Sequence, residues 1–367
     1  MYAVALSENS IAKMEKFDGV LVYKIKTPSY LTYTSSNSIG NRLRTLLDKL
    51  CHIHKYPLKS DDMCYEYAAQ IEELIGVDTN TTVIGTYTPL EAIVAVCKVK
   101  HAHPRIKSVF YSADTLSNEI GNTGILPKYI RKALGFNWEK KIFSIVDKVL
   151  IMECHYQHYM SRKYKMYHYK YGVVNFPLIV RPLYIDNYDN NRTDLSFVYT
   201  GTLDRILRNP SFMCMALSKL ESQLSFKVIV MGGGNCNDIM NEWESKTNGI
   251  IKYYGMQTHD IAIQAIYKAD ILLSIGNNES PMAPSKIYEY MSTGKPIVHF
   301  YSWNLDPCIE PLQKYGNALV IKMDEGSDTT AYIFDFIKKR IRLPFDIVES
   351  KFEKSTPAYT AKILEVL

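Results

Sequence analysis

Short runs of β-branched and aromatic residues alternate with helical patterns through the second half of the chain, and Gly, Pro, Asn or Ser residues separate them. Six runs predict strands, namely Phe197–Thr200, Phe226–Met231, Gly249–Tyr254, Asp270–Ile275, Pro296–Tyr301 and Ala318–Met323. Strands that alternate with helices imply right-handed βαβ crossovers. We therefore expect a parallel sheet with both faces covered.

The first half is less regular, but its pattern also predicts strands separated by helices. The predicted strands are Tyr2–Leu6, Val20–Ile25, Thr82–Gly85, Ser108–Tyr111 and Lys148–Met152. A second α/β domain is the simplest interpretation of this pattern.

A chain of 367 residues with 47% hydrophobic residues can form two domains, each with its own core. Two prolines and a cluster of Asn and Asp predict a linker over residues 176–194. We expect a first domain over 1–175 and a second over 195–345. Residues 346–367 are expected to form a C-terminal helical segment that packs back towards the first domain.

The seven cysteines are scattered, odd in number and without a CxxC pair, which favours reduced thiols in a cytosol. No signal peptide pattern or spanning apolar run is present. The sequence therefore predicts a cytoplasmic protein that is neither secreted nor integral to a membrane.

Glycines follow three predicted strands of the second domain, where ligands of parallel sheets bind. Gly201 opens a loop that carries Arg205 and Arg208, and guanidinium groups there could grip a diphosphate. The alternative is a strand end with two solvated arginines. Gly232 and Gly233 do not belong to a GxGxxG fingerprint; they form either a tight turn or space for a base.

The stretch from Asp270 to Pro296 combines a buried strand, a Gly/Asn-rich loop and a short predicted helix. Lys286 and Glu289 are three residues apart on that helix, so they lie on one face. The carboxylate could accept hydrogen bonds from a ribose diol while the ammonium faces phosphate. An ordinary intrahelical Lys/Glu pair explains the same spacing.

Five elements in order, FVYTGTLDR, KVIVMGGG, IIKYYG, ADILLSIGN and PSKIYEYMSTGKPIV, make the second half similar to the donor domain of GT-B glycosyltransferases of family 4. The resemblance implies two Rossmann-like domains facing each other across a cleft. It further implies sugar transfer from a nucleotide-sugar donor to an acceptor hydroxyl with retention of configuration, without a metal or other cofactor. A glycan or lipid-linked acceptor in surface polysaccharide or glycolipid assembly is expected.

Glu289 matches the second acid of the family's E-x7-E element, which binds the ribose of the donor. The loop after Gly201 matches the place where the family presents cations to the diphosphate, and the loop before Lys286 faces the transferred sugar. The resemblance thus implies catalytic roles for Arg208, Lys286 and Asp114. The residues expected to bind the donor are Gly201, Arg205, Gly232, Gly233, Asn277, Pro284, Ser285, Ile287 and Glu289.

Pro281 stands where the first acid of the family element would be. Either Glu279 shifts into that role, or the chain belongs to a branch that uses a PSK entry with Lys286. This departure leaves open two alternatives to the transferase, a non-catalytic scaffold subunit and a sugar-nucleotide epimerase of the same fold.

The first half resembles the family's acceptor domain more faintly, through TTVIGTYTPLEAIVAV, KSVFYSAD and the helix before VDKVLIMEC. Asp114 follows the second of these elements, as an acceptor-site residue or as a helix N-cap. No strand with a Gly-rich loop precedes Tyr2, so we expect the first βα unit of this fold to be missing.

The segment 125–170 holds ten Lys and Arg residues against three acids and is interleaved with tyrosines. It predicts either a solvated helix face or peripheral contact with an anionic membrane; nucleic acid is not expected. The pairs His52/His54 and His101/His103 and the group Cys154, His155 and His158 have ligand-like spacing without a third, carboxylate ligand. No metal site is predicted.

Overall fold

The computed structural model describes residues 2–7, 14–17, 20–26, 58, 60–76, 81–87, 89–117, 127–182, 194–278, 285–324 and 329–365. Contacts between residues divide the chain into two units. The first is Met1–Val173 with the last two residues, and the second is Val174–Glu365.

The first unit contains two small sheets and the helices that cover them. Its elements are β1 Tyr2–Ser7, β2 Met14–Phe17, β3 Val20–Lys26, α1 Asp61–Ile75, β4 Thr82–Thr86, α2 Leu90–Ala102, β5 Lys107–Ser112, α3 Lys128–Ile145, β6 Lys148–Met152, α4 Tyr156–Tyr159 and β7 Tyr171–Val174. Short 3₁₀ helices over Glu153–His155 and Arg162–Lys170 flank α4. The sheet of order β4-β5-β6-β7 is parallel at its first two pairings, and β3 pairs parallel with β1 and antiparallel with β2.

All five strands predicted for the first unit are present, and two further strands were not predicted. β2 has the sequence MEKF and β7 has YGVV. Both are four residues long, which is too short for a period-two pattern to stand out.

The second unit is a six-stranded parallel sheet with helices on both faces. Its elements are β8 Leu195–Thr200, α5 Ser211–Ser218, β9 Phe226–Met231, α6 Asn237–Lys246, β10 Ile251–Tyr253, α7 His259–Lys268, β11 Ile271–Ile275, α8 Lys286–Ser292, β12 Ile297–Tyr301, α9 Ile309–Tyr315, β13 Ala318–Lys322, α10 Thr330–Lys338, α11 Phe345–Lys351 and α12 Pro357–Glu365. The strand order is β10-β9-β8-β11-β12-β13, and the described pairings are parallel. The six predicted strands are confirmed.

The central strands of this sheet are buried on both faces. Phe197 and Tyr199 of β8 belong to one apolar layer, and Val198 belongs to the other. Leu272 and Leu273 of β11 are divided between the layers in the same way. Two buried faces explain why these strands are continuous apolar runs in the sequence.

The residues that follow the first unit pack on the end of the chain. Asn175 and Ile179 donate backbone hydrogen bonds to Lys354 and Ser355 at 2.9 and 3.0 Å, and Ile179 is buried. Helix α11, which lies in the predicted C-terminal segment, packs against α8 and α9 of the second unit. The first part of the predicted linker and most of the predicted C-terminal segment therefore belong to the second unit, and residues 183–193 lie outside the described part.

Candidate functional site

The strand order of the second unit creates a crevice at one point of the sheet. β8 lies between β9, which follows it along the chain, and β11, which comes after two further crossovers. At such a reversal the loops after the two neighbouring strands lead to opposite sides, and ligands bind between them at the carboxyl ends. Here those loops follow Thr200 and Ile275.

Tyr290 of helix α8 is hydrogen-bonded to the end of β8. The fully buried Tyr290 hydroxyl accepts a hydrogen bond from the backbone N–H of Thr200 at 2.8 Å and lies 3.0 Å from its Oγ1. Burial raises the pKa of Tyr290 above its ordinary value, so the phenol stays protonated. The helix that carries Lys286 and Glu289 is thus positioned at the end of β8.

The loop after β8 is closed into a tight turn. Asp204 and Arg208 exchange two backbone hydrogen bonds of 3.1 and 2.8 Å. The Asp204 carboxylate accepts the backbone N–H groups of Leu207 and Ile206, which hold its pKa below the ordinary value. The carbonyl of Leu207 accepts the N–H of Asn278 at 2.9 Å, which connects this turn to the loop after β11.

The two arginines of the turn have different surroundings. The exposed guanidinium of Arg205 is paired with the carboxylate of Asp238 and donates to the carbonyl of Asn235 at 3.0 Å. Its backbone N–H donates to the Asn235 side chain at 2.9 Å. Arg205 therefore holds the turn against the start of α6, a role that its position in the sequence did not indicate.

Arg208 lies half-buried beside Tyr199. Its Nε atom is buried and has no hydrogen-bond partner among the described residues. Burial raises the pKa of Tyr199 to about 12, although the charge of Arg208 acts in the opposite direction. A guanidinium whose buried Nε–H has no partner among those residues, at the point where the strand order reverses, is suited to bind an anionic ligand.

The glycines after β9 serve two different purposes. A Cβ atom on Gly232 would lie 1.7 Å from the carbonyl oxygen of Gly201, so the two loops touch backbone to backbone. A Cβ atom on Gly233 would meet only the end of the Met256 side chain, at 2.7 Å. Gly232 is thus required by the close approach of two backbones, whereas Gly233 borders only a flexible side chain.

Gly232→Ala is expected to destabilise the second unit by about 1–3 kcal/mol, because the backbone of Gly201 cannot move aside. Gly233→Ala serves as the matched control and should change stability by well under 1 kcal/mol, since Met256 is flexible. Urea unfolding followed by circular dichroism measures both. Equal midpoints for the two variants would contradict the assigned contact.

A pocket of about 420 Å³ opens beside these glycines. Its lining residues are Gly233, Gly234, Asn237, Asn241, Tyr253, Gly255 and Met256. The Tyr253 hydroxyl lies 2.8 Å from the Gly232 carbonyl oxygen and 2.8 Å from Asn237 Oδ1, so hydrogen bonding fixes the ring as one wall of the pocket. Apart from the glycine run after β9, the sequence did not indicate these lining residues. Gly255, the glycine after β10, was the local signal that could have indicated them.

On α8, Lys286 and Glu289 form the ion pair that the intrahelical interpretation describes. The Lys286 side chain is 35% exposed and that of Glu289 is 18% exposed, so both reach solvent at the edge of the sheet. Ser285 stands at the N-cap position of this helix but makes no side-chain capping hydrogen bond, and Asn277 is buried in the loop after β11. Ile287 is fully buried in the core, which leaves only its backbone for contact with a donor. Pro284, Pro281 and Glu279 lie outside the described residues.

The remainder of the PSKIYEYMSTGKP stretch is structural. Buried Lys295 donates to the carbonyls of Ile266 and Ala269 at 3.2 and 2.6 Å, at the end of α7. Its charge thus satisfies the last carbonyls of a helix.

In the first unit, Asp114 follows β5, and its carboxylate lies 3.8 Å from Nε2 of buried His155. Burial by itself lowers the pKa of His155, but Asp114 and Cys154 outweigh it and raise the pKa to about 9. No helix begins in the described residues Thr115–Ser117, directly after Asp114. Asp114 is therefore not the N-cap of a helix that starts in those residues.

A buried polar network holds the same loop. The fully buried carboxylate of Glu139 on α3 accepts hydrogen bonds from the backbone N–H of Ser117 at 3.2 Å and from the hydroxyls of Tyr159 and Tyr164. The Ser117 hydroxyl also lies 2.9 Å from Nε2 of His158. Burial raises the pKa of Glu139 and lowers that of His158 to about 4.

Several residues of this network belong to the basic, tyrosine-rich segment 125–170. Tyr159, Tyr164 and Tyr167 are core residues, and Lys170 donates to the last carbonyls of α3 at 2.8 and 2.6 Å. The exposed tyrosines include Tyr129 and Tyr169. Within the described part of the chain, no helix is long and apolar enough to span a membrane.

No protein-family model and no curated protein matches this chain. Among solved structures, sucrose-phosphate synthase from Thermosynechococcus elongatus is similar with a TM-score of 0.57 and 10% identity, over 96% of this chain and 83% of that one. Anabaena HepE, solved in complex with UDP and glucose, gives 0.55 and 12% over 100% of both chains. A glycosyltransferase from Rickettsia africae gives 0.51 and 13%, over 91% and 80%. Together with the two α/β units and the 3-2-1-4-5-6 strand order of the second, these similarities show that the chain has the Rossmann-like two-domain fold of the GT-B glycosyltransferases.

Proposed function

We propose that the protein is a glycosyltransferase that binds a nucleotide-sugar donor at the carboxyl edge of the second unit's sheet and transfers the sugar to an acceptor hydroxyl. The observation that carries the proposal is the reversal of the strand order between β8 and β11. Arg208, the Lys286–Glu289 pair and the adjacent pocket all belong to loops or helices at this edge.

Departure of the nucleotide places negative charge on the diphosphate. Arg208 is the cation of the β8 loop that is available to stabilise this charge, because Asp238 already engages Arg205. Donors that are fixed before the reaction stabilise the transition state without reorganising. We assign Arg208 to the diphosphate, with Lys286 as the second cation, and Arg205 to the support of the loop.

Glu289 is the group proposed to bind the ribose. An ionised carboxylate accepts hydrogen bonds from two neighbouring hydroxyls, and Lys286 keeps its orientation in the free protein. Because the Lys286 side chain is partly exposed, it can turn from Glu289 to a phosphate oxygen when the donor binds.

The pocket next to Gly233 is proposed to hold the base. Tyr253 offers a fixed aromatic wall, Met256 an adaptable apolar one, and Asn237 and Asn241 offer polar side-chain groups. Its volume of about 420 Å³ falls in the range typical of small-molecule sites. HepE, whose structure holds UDP and glucose, suggests UDP as the first nucleotide to test.

The finer parts of the proposal rest on the sequence resemblance. They are retention of configuration, a glycan or lipid-linked acceptor in surface polysaccharide or glycolipid assembly, and a cytoplasmic location with peripheral membrane contact through 125–170.

Asp114 is proposed as the acceptor-side residue. Its pairing with His155 keeps a carboxylate and an imidazolium together in the loop after β5.

Glu289→Ala is expected to weaken UDP binding about 10-fold or more, because the carboxylate's charged hydrogen bonds to the ribose contribute about 1.5–3 kcal/mol. Isothermal titration calorimetry with UDP measures the change. Glu242→Ala is the matched control, since that glutamate forms an exposed i,i+4 pair with Lys246 on α6. Unchanged affinity in Glu289→Ala would remove Glu289 from the donor site.

The same preparation distinguishes the other two functions. A scaffold with no working pocket should give no heat with UDP or GDP. An epimerase should convert the sugar nucleotide in the absence of any acceptor, which NMR detects directly. Transfer to an acceptor, seen by mass spectrometry of the product, supports the glycosyltransferase.

A further inference from the structure

Three side chains with metal-binding atoms meet next to the crevice, at the carboxyl ends of β11 and β12. His299 lies on β12, and Asp306 and Cys308 follow in the connection to α9. All three are buried, and one potential ligand atom from each lies within 4.8 Å of the others. Their spacing in the sequence gives no ligand motif, so the fold alone brings them together.

Two polar atoms of this cluster lack a hydrogen bond. His299 Nε2 and Asp306 Oδ2 are both fully buried and have no hydrogen-bond partner within the described structure. They lie 3.4 Å from each other. Buried nitrogen and oxygen atoms are nearly always satisfied, so two unmet atoms this close together favour a positively charged group next to both of them.

The other ring nitrogen of His299 fixes the direction of this pair. Nδ1 lies 3.0 Å from the hydroxyl of Ser274 on the neighbouring strand, and both side chains are buried. When Nδ1–H donates to Ser274, Nε2 carries a lone pair and faces the carboxylate oxygen. Histidines that bind metals are oriented by such a hydrogen bond from their second nitrogen.

Asp306 is held in place by the backbone around it. Its Oδ1 accepts the N–H of Cys308 at 2.8 Å, and its own N–H donates to the carbonyl of Trp303 at 3.0 Å. A Cβ atom on Gly276 would lie 1.6 Å from Asp306 Oδ2, so only glycine fits at this position of the β11 loop. The cluster is therefore rigid and lies directly under the loop that carries Asn277.

We propose that His299, Asp306 and Cys308 bind one divalent transition-metal ion of the Zn²⁺ class. Imidazole nitrogen, carboxylate oxygen and thiolate sulfur are the three ligand types that Zn²⁺ takes in proteins. Tetrahedral bonds of about 2.0–2.2 Å place the nitrogen and oxygen donors about 3.4 Å apart, which matches the separation here. The ion ties β12 to the connection that follows it, beside the proposed donor site.

The test uses the full chain, stripped with a chelator and titrated with Co²⁺ as a spectroscopic probe for the zinc site. We expect one Co²⁺ per chain, with tetrahedral visible bands and a thiolate-to-cobalt band that stoichiometric Zn²⁺ abolishes. Cys308→Ser should lose the thiolate band. Cys154→Ser is the matched control and should keep it, because Cys154 is exposed and lies in the first unit next to His155.

Ser274→Ala gives a second readout that removes no ligand. Loss of the hydrogen bond to His299 Nδ1 should weaken Co²⁺ binding about 10–100-fold while the thiolate band remains. Added Zn²⁺ should also raise the Tm of the stripped chain. A chain without stoichiometric Co²⁺ binding would overturn the proposal. A cobalt spectrum that depends on Cys154 would overturn it as well. None of these measurements depends on sugar transfer.

Discussion

Arg208→Ala is expected to lower the rate of nucleotide-sugar cleavage about 10²–10³-fold, the size of effect seen when one fixed donor to a developing anion is removed. Arg208 lies at the switch point of the sheet with a buried Nε that has no partner among the described residues. The guanidinium is thus in place before the diphosphate takes up charge. Release of UDP from a panel of UDP-sugars, with and without acceptor extracts, measures the rate.

Arg205→Ala is the matched control for this experiment, because the two arginines are three residues apart in one turn. Its guanidinium pairs with Asp238 at an exposed site, where solvent screens the interaction and such pairs contribute little. We expect UDP release to fall no more than a few-fold. If Arg205→Ala caused the larger loss, the roles of the two arginines would have to be exchanged.

Glu139→Ala is expected to lower the free energy of unfolding of the first unit by about 3–5 kcal/mol. The change removes the acceptor of the Ser117 N–H and of two tyrosine hydroxyls, in a site that water does not reach. Each buried group left unsatisfied costs about 1–3 kcal/mol. The loop that carries Asp114 should loosen at the same time, because Ser117 lies three residues beyond it.

Urea unfolding followed by tyrosine fluorescence and circular dichroism measures this loss. Glu242→Ala, which removes only an exposed helical pair, should change the free energy of unfolding by a few tenths of a kcal/mol. Hydrogen exchange should show faster opening around Ser112–Ser117 in Glu139→Ala alone. A stability equal to that of Glu242→Ala would show that the buried network contributes little.

The sheet of the second unit was predictable because its strands are buried on both faces. Burial of β8 and β11 between two layers requires continuous apolar runs, and such runs are a local property of the sequence. The first unit gave weaker signals. β2 and β7 are four residues long, and the tyrosines of 125–170 suggested a surface although several of them form the core.

The proposed donor site was predictable in outline, but the different surroundings of its residues were not. Glycine at strand ends and the Lys286–Glu289 spacing indicated the edge of the sheet. The resemblance implied contacts with the donor for both Arg205 and Arg208, and only the structure shows that Arg205 pairs with Asp238 on α6 while Arg208 is half-buried beside Tyr199. The pocket also depends on residues that follow β10, which reach Gly233 through the parallel pairing of β9 and β10.

By itself, the sequence determined the α/β class, the order of strands and helices, and the sheet edge where a nucleotide sugar would bind, because periodicity and strand-end glycines act over a few residues. The tertiary structure decided which charges are already paired, which tyrosines are core, and that His299 meets Asp306 and Cys308 under Gly276. Those facts depend on which strands and loops become neighbours. Packing between residues far apart in the chain sets that arrangement, and no local pattern records it.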